Sequence, residues 1–222
     1  MECVETTLGR LCLGDARELI KTIPSESVGA VITDPPWGVK RDEYDDENAL
    51  YDILPELYRV LKPGGALAVY YATKFLNKLI DGTEKVGFRY YWTIIRLDFS
   101  KATRSPFGSS NYTPAIIFYK AKPPKIQIKI SDVIMAGEVD YDLLKGMTKE
   151  VFDQFKATTT TSYLVQSLTE EGGVVLDPFA GYGNIPYVAE THGRRWLAFE
   201  ISKERYEIAK YLVLNKRMPK LK

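Results

Sequence analysis

The sequence predicts an α/β fold with a mostly parallel sheet, and three observations carry the prediction. Strand-like apolar runs alternate with stretches of helical periodicity along the chain. The run "VGAVITD" (28–34) is apolar on both faces, as a parallel strand buried between helices should be. Four strand-like runs end on Asp15, Asp34, Asp177 and Glu200, so carboxylates would ring the edge where such sheets bind ligands.

The elements follow in order. "GRLCLGD" (9–15) reads as a short strand ending in Gly14-Asp15, and "VGAVITD" as a second. "ENALYDILPELYRVL" (47–61) has apolar residues at helical spacing and stops at Lys62-Pro63-Gly64-Gly65. "GALAVYYA" (65–72) reads as a strand, about 73–86 as a helix, and "FRYYWTIIRLD" (88–98) and "TPAIIFYKA" (113–121) as strands. "VVLDPFAGYG" (174–183) and "RRWLAFE" (194–200) are two more, separated by a helical stretch at 184–192. The helix "SKERYEIAKYLVLNK" (202–216) follows, with Ser202 as its cap. Residues 122–155 show little periodicity. The length fits a single domain spanning 1–222.

Composition bounds the function. With 30 basic and 29 acidic residues the formal charge is +1, so attraction to a polyanion must be local. Cys3 and Cys12 form no C-x-x-C pair and His192 is the sole histidine, so a structural zinc site lacks ligands and no metal is expected. A disulfide is not expected either. No apolar stretch approaches the length of a membrane span, and the N-terminus lacks signal-peptide features. The expectation is a soluble, cytoplasmic protein without membrane contact.

A ring of carboxylates suits a cationic, hydroxyl-bearing ligand better than a phosphate, and the phosphate-cradling G-x-x-x-x-G-K-[ST] sequence is absent. In "DPFAGYG" (177–183), Gly181 and Gly183 lack a Cβ and let backbone approach a ligand, although the same spacing also makes an ordinary tight turn. Glu200 stands where doubly wound folds place an acid for a ribose diol, although a lone glutamate at a strand end is often just solvated.

"GDARELIKTIPSESVGAVITDPPWG" near the N-terminus and "VVLDPFAGYGNIPYVAETHGRRWLAFEISKERYEIAKYL" near the C-terminus carry a family likeness, with "LYRVLKPGGALAVYYA" between them. The chain resembles the permuted, beta-group amino-methyltransferases, which move a methyl group from S-adenosyl-L-methionine to an exocyclic amino group of adenine or cytosine in DNA. The catalytic segment precedes the main cofactor segment, which is the permuted order. The resemblance implies a Rossmann-like methyltransferase fold: a mostly parallel seven-stranded sheet with helices on both faces.

It also implies roles. Asp34 and the carbonyl of Pro35 would each accept one amino hydrogen of the target base. Pro35 and Pro36 hold the segment stiff, and Trp37 offers a face for the base. A proline-stiffened turn with a core tryptophan is the plainer alternative. Asp177, Phe179, Gly181 and Gly183 would line the methionine part of the cofactor, Glu200 would take the ribose hydroxyls, and Asp15 the adenine amino group.

Three departures stand out. Tyr182 replaces the family's usual serine and Asn184-Ile185 its two threonines. The segment ahead of the cofactor motif is "FDQFKATTTTSYL", where Lys156 matches the family's lysine and Thr158 to Thr161 could cap a helix and touch the cofactor carboxylate. The catalytic motif ends in tryptophan, as in eukaryotic mRNA adenosine methyltransferases, where tyrosine is commoner in the family.

For nucleic acid, residues 101–131 hold Lys101, Arg104, Lys120, Lys122, Lys125 and Lys129 and no acid. Solvated lysines on strand edges are the alternative. "RDEYDDE" (41–47) carries five acids and one base and would repel DNA unless it moves away. Residues 122–155 are the candidate target-recognition segment, and the short chain points to a homodimer or a short target. The sequence thus predicts adenine-N6 methylation of duplex DNA at a flipped base, in a restriction-modification context. The alternatives are cytosine-N4 methylation, RNA adenosine methylation and a silent binding subunit.

Overall fold

The computed structural model describes residues 2–37, 46–99, 103–135 and 158–216. In its first half, strands β1 (Glu2–Glu5), β2 (Gly9–Leu13) and β3 (Val28–Thr33) surround a short helix α1 (Ala16–Leu19). Helix α2 (Ala49–Val60), strand β4 (Leu61–Tyr70), helix α3 (Leu76–Val86) and strand β5 (Arg89–Leu97) follow. A small hairpin, β6 (Thr103–Ser105) and β7 (Gly108–Ser110), leads into β8 (Tyr112–Tyr119), and β9 (Val133–Met135) lies beyond. The last part comprises α4 (Thr158–Leu168), β10 (Val174–Asp177), α5 (Asn184–Thr191), β11 (Arg195–Glu200) and α6 (Lys203–Asn215).

Among the described residues, nine strands form one sheet in the order β1-β2-β11-β10-β3-β4-β8-β5-β9. From β2 to β4 all neighbours are parallel, and β8 runs antiparallel between β4 and β5. The expected seven-stranded sheet is therefore β2-β11-β10-β3-β4-β8-β5, and β1 and the three-residue β9 extend its two edges.

Apolar spacing decides which helix covers which face. Leu50, Ile53, Leu54 and Leu57 of α2 bury one stripe, together with Ala16 and Leu19 of α1 and Leu79 of α3, against Val31, Leu67 and Phe118. On the opposite face α4, α5 and α6 bury Leu164, Val188 and Ala209 against Ala30, Ala68 and Trp196. The central strand β3 is sandwiched, which is why it reads as continuously apolar. The strand read from 65 starts at Leu61, because Val28 pairs with Leu61 and Ala30 with Ala66, and the extra residues loop out around Gly64 at φ +82°.

One expectation is corrected at the edge. Cys3 lies opposite Cys12 in the antiparallel β1–β2 register, their Cα atoms 4.1 Å apart, and the two are joined by a disulfide. A turn closed on Thr6 brings them together: its hydroxyl accepts from the Leu8 and Gly9 amides at 3.3 and 3.1 Å. Cysteine spacing alone carries no sign of that turn. Among the described residues, no helix is long and apolar enough to cross a membrane.

Candidate active site

The parallel strands deliver Asp15, Asp34, Asp177 and Glu200 to one end of the sheet, and β3 and β10 are neighbours there. Asp177 is 1% exposed. Its Oδ1 accepts from the Thr33 hydroxyl at 2.8 Å and from the Phe179 amide at 3.2 Å, and its Oδ2 is buried without a hydrogen-bond partner. Burial pushes its pKa up to about 7 against these two bonds, and the nearby Asp34 and Glu200 charges add to the rise. Glu200, 5% exposed, accepts from the Gly181 amide at 2.7 Å and the Ser202 amide at 2.8 Å. Burial raises its pKa too, against those bonds.

The two glycines of the turn do different work. Gly181 (φ +53°) has open space where a Cβ would stand, beside the Glu200 carboxylate its amide binds. Gly183 (φ +87°) instead faces α6, where a Cβ would come within 3.0 Å of the Ala209 Cβ. Of the pair expected to approach a ligand, Gly181 leaves open space, while Gly183 is required for helix packing. Phe179 is half-buried against the α2 side of the sheet, and the Arg205 guanidinium lies 5.8 Å from the centre of the buried Tyr182 ring.

Asp15 caps α1, accepting from the Arg17 amide at 2.8 Å. Arg17, which no sequence motif marks, gathers acids around that end: Asp15 at 3.4 Å, Asp52 at 2.9 Å, and Asp46 in a close pair. The Asp46 hydrogen bond is the main cause holding the guanidinium above its ordinary pKa. So at least part of the acidic "RDEYDDE" run is tied to this edge; residues 41–45 lie outside the described residues.

After β3, Pro35 is buried while Asp34, Pro36 and Trp37 are half-buried. The Trp37 indole donates to the Tyr70 carbonyl at 3.3 Å, which fixes its edge on the end of β4. Tyr70 in turn shares a 3.2 Å hydroxyl contact with Thr161 in the first turn of α4, and burial holds its phenol well above the ordinary pKa. Thr160 and Thr161 are fully buried, and the Tyr70 contact sets Thr161 beside the end of β4. Arg96, 5% exposed, donates to Asp98 at 2.6 Å, and its Nε is buried without a partner. Neither Tyr70 nor Arg96 was expected from sequence. The one signal was a charge in "TIIRLD" where strand alternation calls for a core residue.

The nucleic-acid expectation needs correction. Lys120 is 8% exposed; its ammonium donates to the Leu61 carbonyl at 2.8 Å and to Glu26 at 3.2 Å. Because β8 runs antiparallel, it carries the chain away from Asp34, toward the start of β4, where the Lys122 stem lies over Gly64. Lys125 follows between that point and Gln127, whose amide donates to Ser167 near the end of α4. These three lysines lie at the end of the sheet opposite the carboxylates. Lys101, Lys156 and residues 136–155 of the candidate recognition segment 122–155 lie outside the described residues, as does the Arg104 side chain. The exposed cations at the carboxylate end include Lys74 and Lys78, packed over Phe75 and Tyr51 at 4.4 and 4.8 Å.

Known proteins share this architecture. The chain is 29% identical over 258 residues to the type II methyltransferase M.BamHI of Bacillus amyloliquefaciens, covering 95% of this chain and 58% of that relative's length. The solved PvuII DNA methyltransferase, described as cytosine-N4-specific, superposes with a TM-score of 0.74 at 20% identity over 95% of this chain and 94% of that one. A complex of M1.HpyAVI with S-adenosylmethionine gives 0.72 at 18% identity, over 93% and 100%. These likenesses establish a Rossmann-like methyltransferase fold. A family model described as DNA methylase matches residues 28–211, which takes in both Asp-Pro strand ends and everything between them: this chain belongs to the N6/N4 DNA methylase family.

Proposed function

We propose that this chain methylates the N6 amino group of adenine in DNA, using S-adenosyl-L-methionine. The observation that carries the reading is the pairing of two buried carboxylates, Asp177 and Glu200, with a half-exposed one, Asp34, on the adjacent strand.

The buried pair fits the cofactor. Burial, with a smaller contribution from its acidic neighbours, raises the Asp177 pKa to about 7, and a cation placed nearby would relieve that rise. The unpartnered Asp177 Oδ2 is an acceptor in waiting, and the space beside Gly181 is where a ligand could lie against the backbone. Asp177, Phe179 and Gly181 would border the methionine portion, Glu200 would accept from ribose hydroxyls with its remaining lone pairs, and Asp15 from the adenine amino group. The bound cofactor supplies a methyl carbon on a positively charged sulfur.

The chain's own residues do the rest. The Asp34 carboxylate and the Pro35 carbonyl each accept one hydrogen of the target amino group, turning the nitrogen lone pair outward. Two prolines hold those acceptors in place before substrate arrives, so little reorganisation is needed. As nitrogen gains its new bond it becomes acidic, and its proton leaves along the Asp34 hydrogen bond. The base must leave the duplex to reach this depth, and Trp37, fixed by Tyr70, stacks on it.

Cytosine-N4 is the second reading, favoured by the likeness to a structure described as cytosine-N4-specific; both amino groups offer the same two hydrogens. Separate incubations with the cofactor and either unmethylated DNA or RNA, each followed by nucleoside mass spectrometry, decide. N6-methyladenine is expected, N4-methylcytosine alone selects the second reading, and methylated RNA with untouched DNA overturns both.

A further inference from the structure

The arm between β5 and β8 carries aromatic side chains that the fold does not use. Phe99, Phe107 and Tyr112 are exposed, and Phe107, at the tip of the β6–β7 hairpin, is entirely in solvent. The arm rises from the carboxylate end of the sheet: β5 runs in the same direction as β4, and the Asp98 amide donates to the Asn111 carbonyl at 2.7 Å to close its base.

The tip is built to be stiff. Thr103 pairs with Ser110 and Ser105 with Gly108, leaving a two-residue turn, Pro106-Phe107. Pro106 has its φ locked by its ring. The Ser105 hydroxyl accepts from the Phe107 amide at 3.3 Å. Gly108 turns at φ +118°, a conformation that side chains resist, with open space around it. A flexible loop could fold such a ring back onto the protein, but this turn holds it outward.

We propose that Phe107 enters the base stack of duplex DNA and fills the gap left when the target nucleotide is flipped toward Asp34. The inference rests on the DNA-methylation reading and adds to it the residue that stabilises the opened duplex. Flipping leaves a gap of one base, and an apolar ring is the side chain that can occupy it with stacking on both sides. The surrounding stretch, residues 99–112, contains Lys101 and Arg104 and no acid, which complements phosphates. The rival occupant is a second copy of this chain.

The test uses the full chain with the cofactor and unmethylated plasmid DNA, native or heat-denatured, and reads methyl incorporation. Phe107→Ala should lower the rate on native DNA by roughly tenfold or more, while denatured strands, with no stack to open, lose less than about twofold. Phe107→Trp should retain the native rate, and neither variant should change the melting temperature. A wild-type rate for Phe107→Ala on native DNA, or equal losses on both DNAs, overturns the proposal. If the wild type ignores denatured strands, the duplex decides: Ala losing and Trp keeping activity supports the proposal, and both behaving alike overturns it. Conversion of a dimer to a monomer by Phe107→Ala, seen in sedimentation, assigns the tip to a second copy and overturns it as well. A wild type that binds cofactor but methylates no DNA defeats the methylation reading itself, while a failure confined to Phe107 variants leaves that reading standing.

Discussion

Asp34-Pro35 and Asp177-Pro178 end neighbouring strands with the same dipeptide, yet their surroundings diverge. Asp177 is 1% exposed and held by the Thr33 hydroxyl and the Phe179 amide, with an acidity shifted to about 7. Asp34 is half-buried and followed by a second proline and a tethered tryptophan. The first is shut away from water and the second stands partly open to it, in keeping with the cofactor and substrate roles proposed for them. Thr33 joins them, since it precedes one and donates to the other. Burial thus sets what each carboxylate can do.

The largest expected effect separates the two. Asp34→Asn should lower the methylation rate by roughly 10²–10³, the scale for losing one preorganised electrostatic contact, while cofactor affinity by calorimetry stays within about twofold. Asp177→Asn should do the reverse to affinity. Equal loss of cofactor binding in both variants would erase the distinction.

The pH dependence sharpens it, with opposite signs for stability and binding. Because Asp177 titrates near 7 when folded and near 3.8 ordinarily, its contribution to stability is fully present below about pH 4 and is lost as pH rises toward 7. Complete loss is bounded at about 4 kcal/mol. In the proposed role Asp177 meets the cofactor's cation as the carboxylate, so affinity should rise up to about tenfold per pH unit below 7 and level off above it. Calorimetric titrations from pH 5.5 to 8 on the wild type and Asp177→Asn check this: the variant should show a flat profile, and a wild type that is already flat would reassign the charge.

A smaller effect lies at the joint. Thr33→Val removes the hydroxyl that donates to Asp177 and should cost about 1 kcal/mol, a melting shift of roughly 2–4 °C in a chain this size. The loss should be greater at pH 8 than at pH 5, where the carboxyl is neutral. An equal shift at both pH values would mean the hydroxyl serves packing alone.

The smallest concerns the two ends of the sheet. Lys120→Met should leave the salt dependence of DNA binding unchanged, whereas Lys74→Ala with Lys78→Ala should flatten it by up to about two units of log-log slope. The opposite result would return the interface to the far end.

Sequence made the carboxylate end legible because strand ends, proline and glycine are local signals: Asp15, Asp34, Asp177 and Glu200 all arrive where strand order and parallel pairing put them. Direction is not local. "TPAIIFYKA" reads as a strand either way, and only its antiparallel pairing to β4 sends Lys120 to the far end and buries it against Leu61. Arg96 and Tyr70 were hidden for a related reason, since each sits within an apolar run and acquires its role from neighbours on other strands. The disulfide likewise depends on a turn that spacing does not reveal.

The Thr33–Asp177 hydrogen bond spans 144 positions of chain. On a ribosome adding about 5–20 residues per second, β10 is made roughly 7–30 s after β3. Through that interval the nascent polypeptide holds β3 without the strand that must pair beside it, and β2 likewise waits for β11. An exposed parallel template of this kind closes slowly, because long-range pairing follows costly loop closure. Translation therefore leaves the carboxylate end of the sheet unassembled until β10 and β11 have both been made.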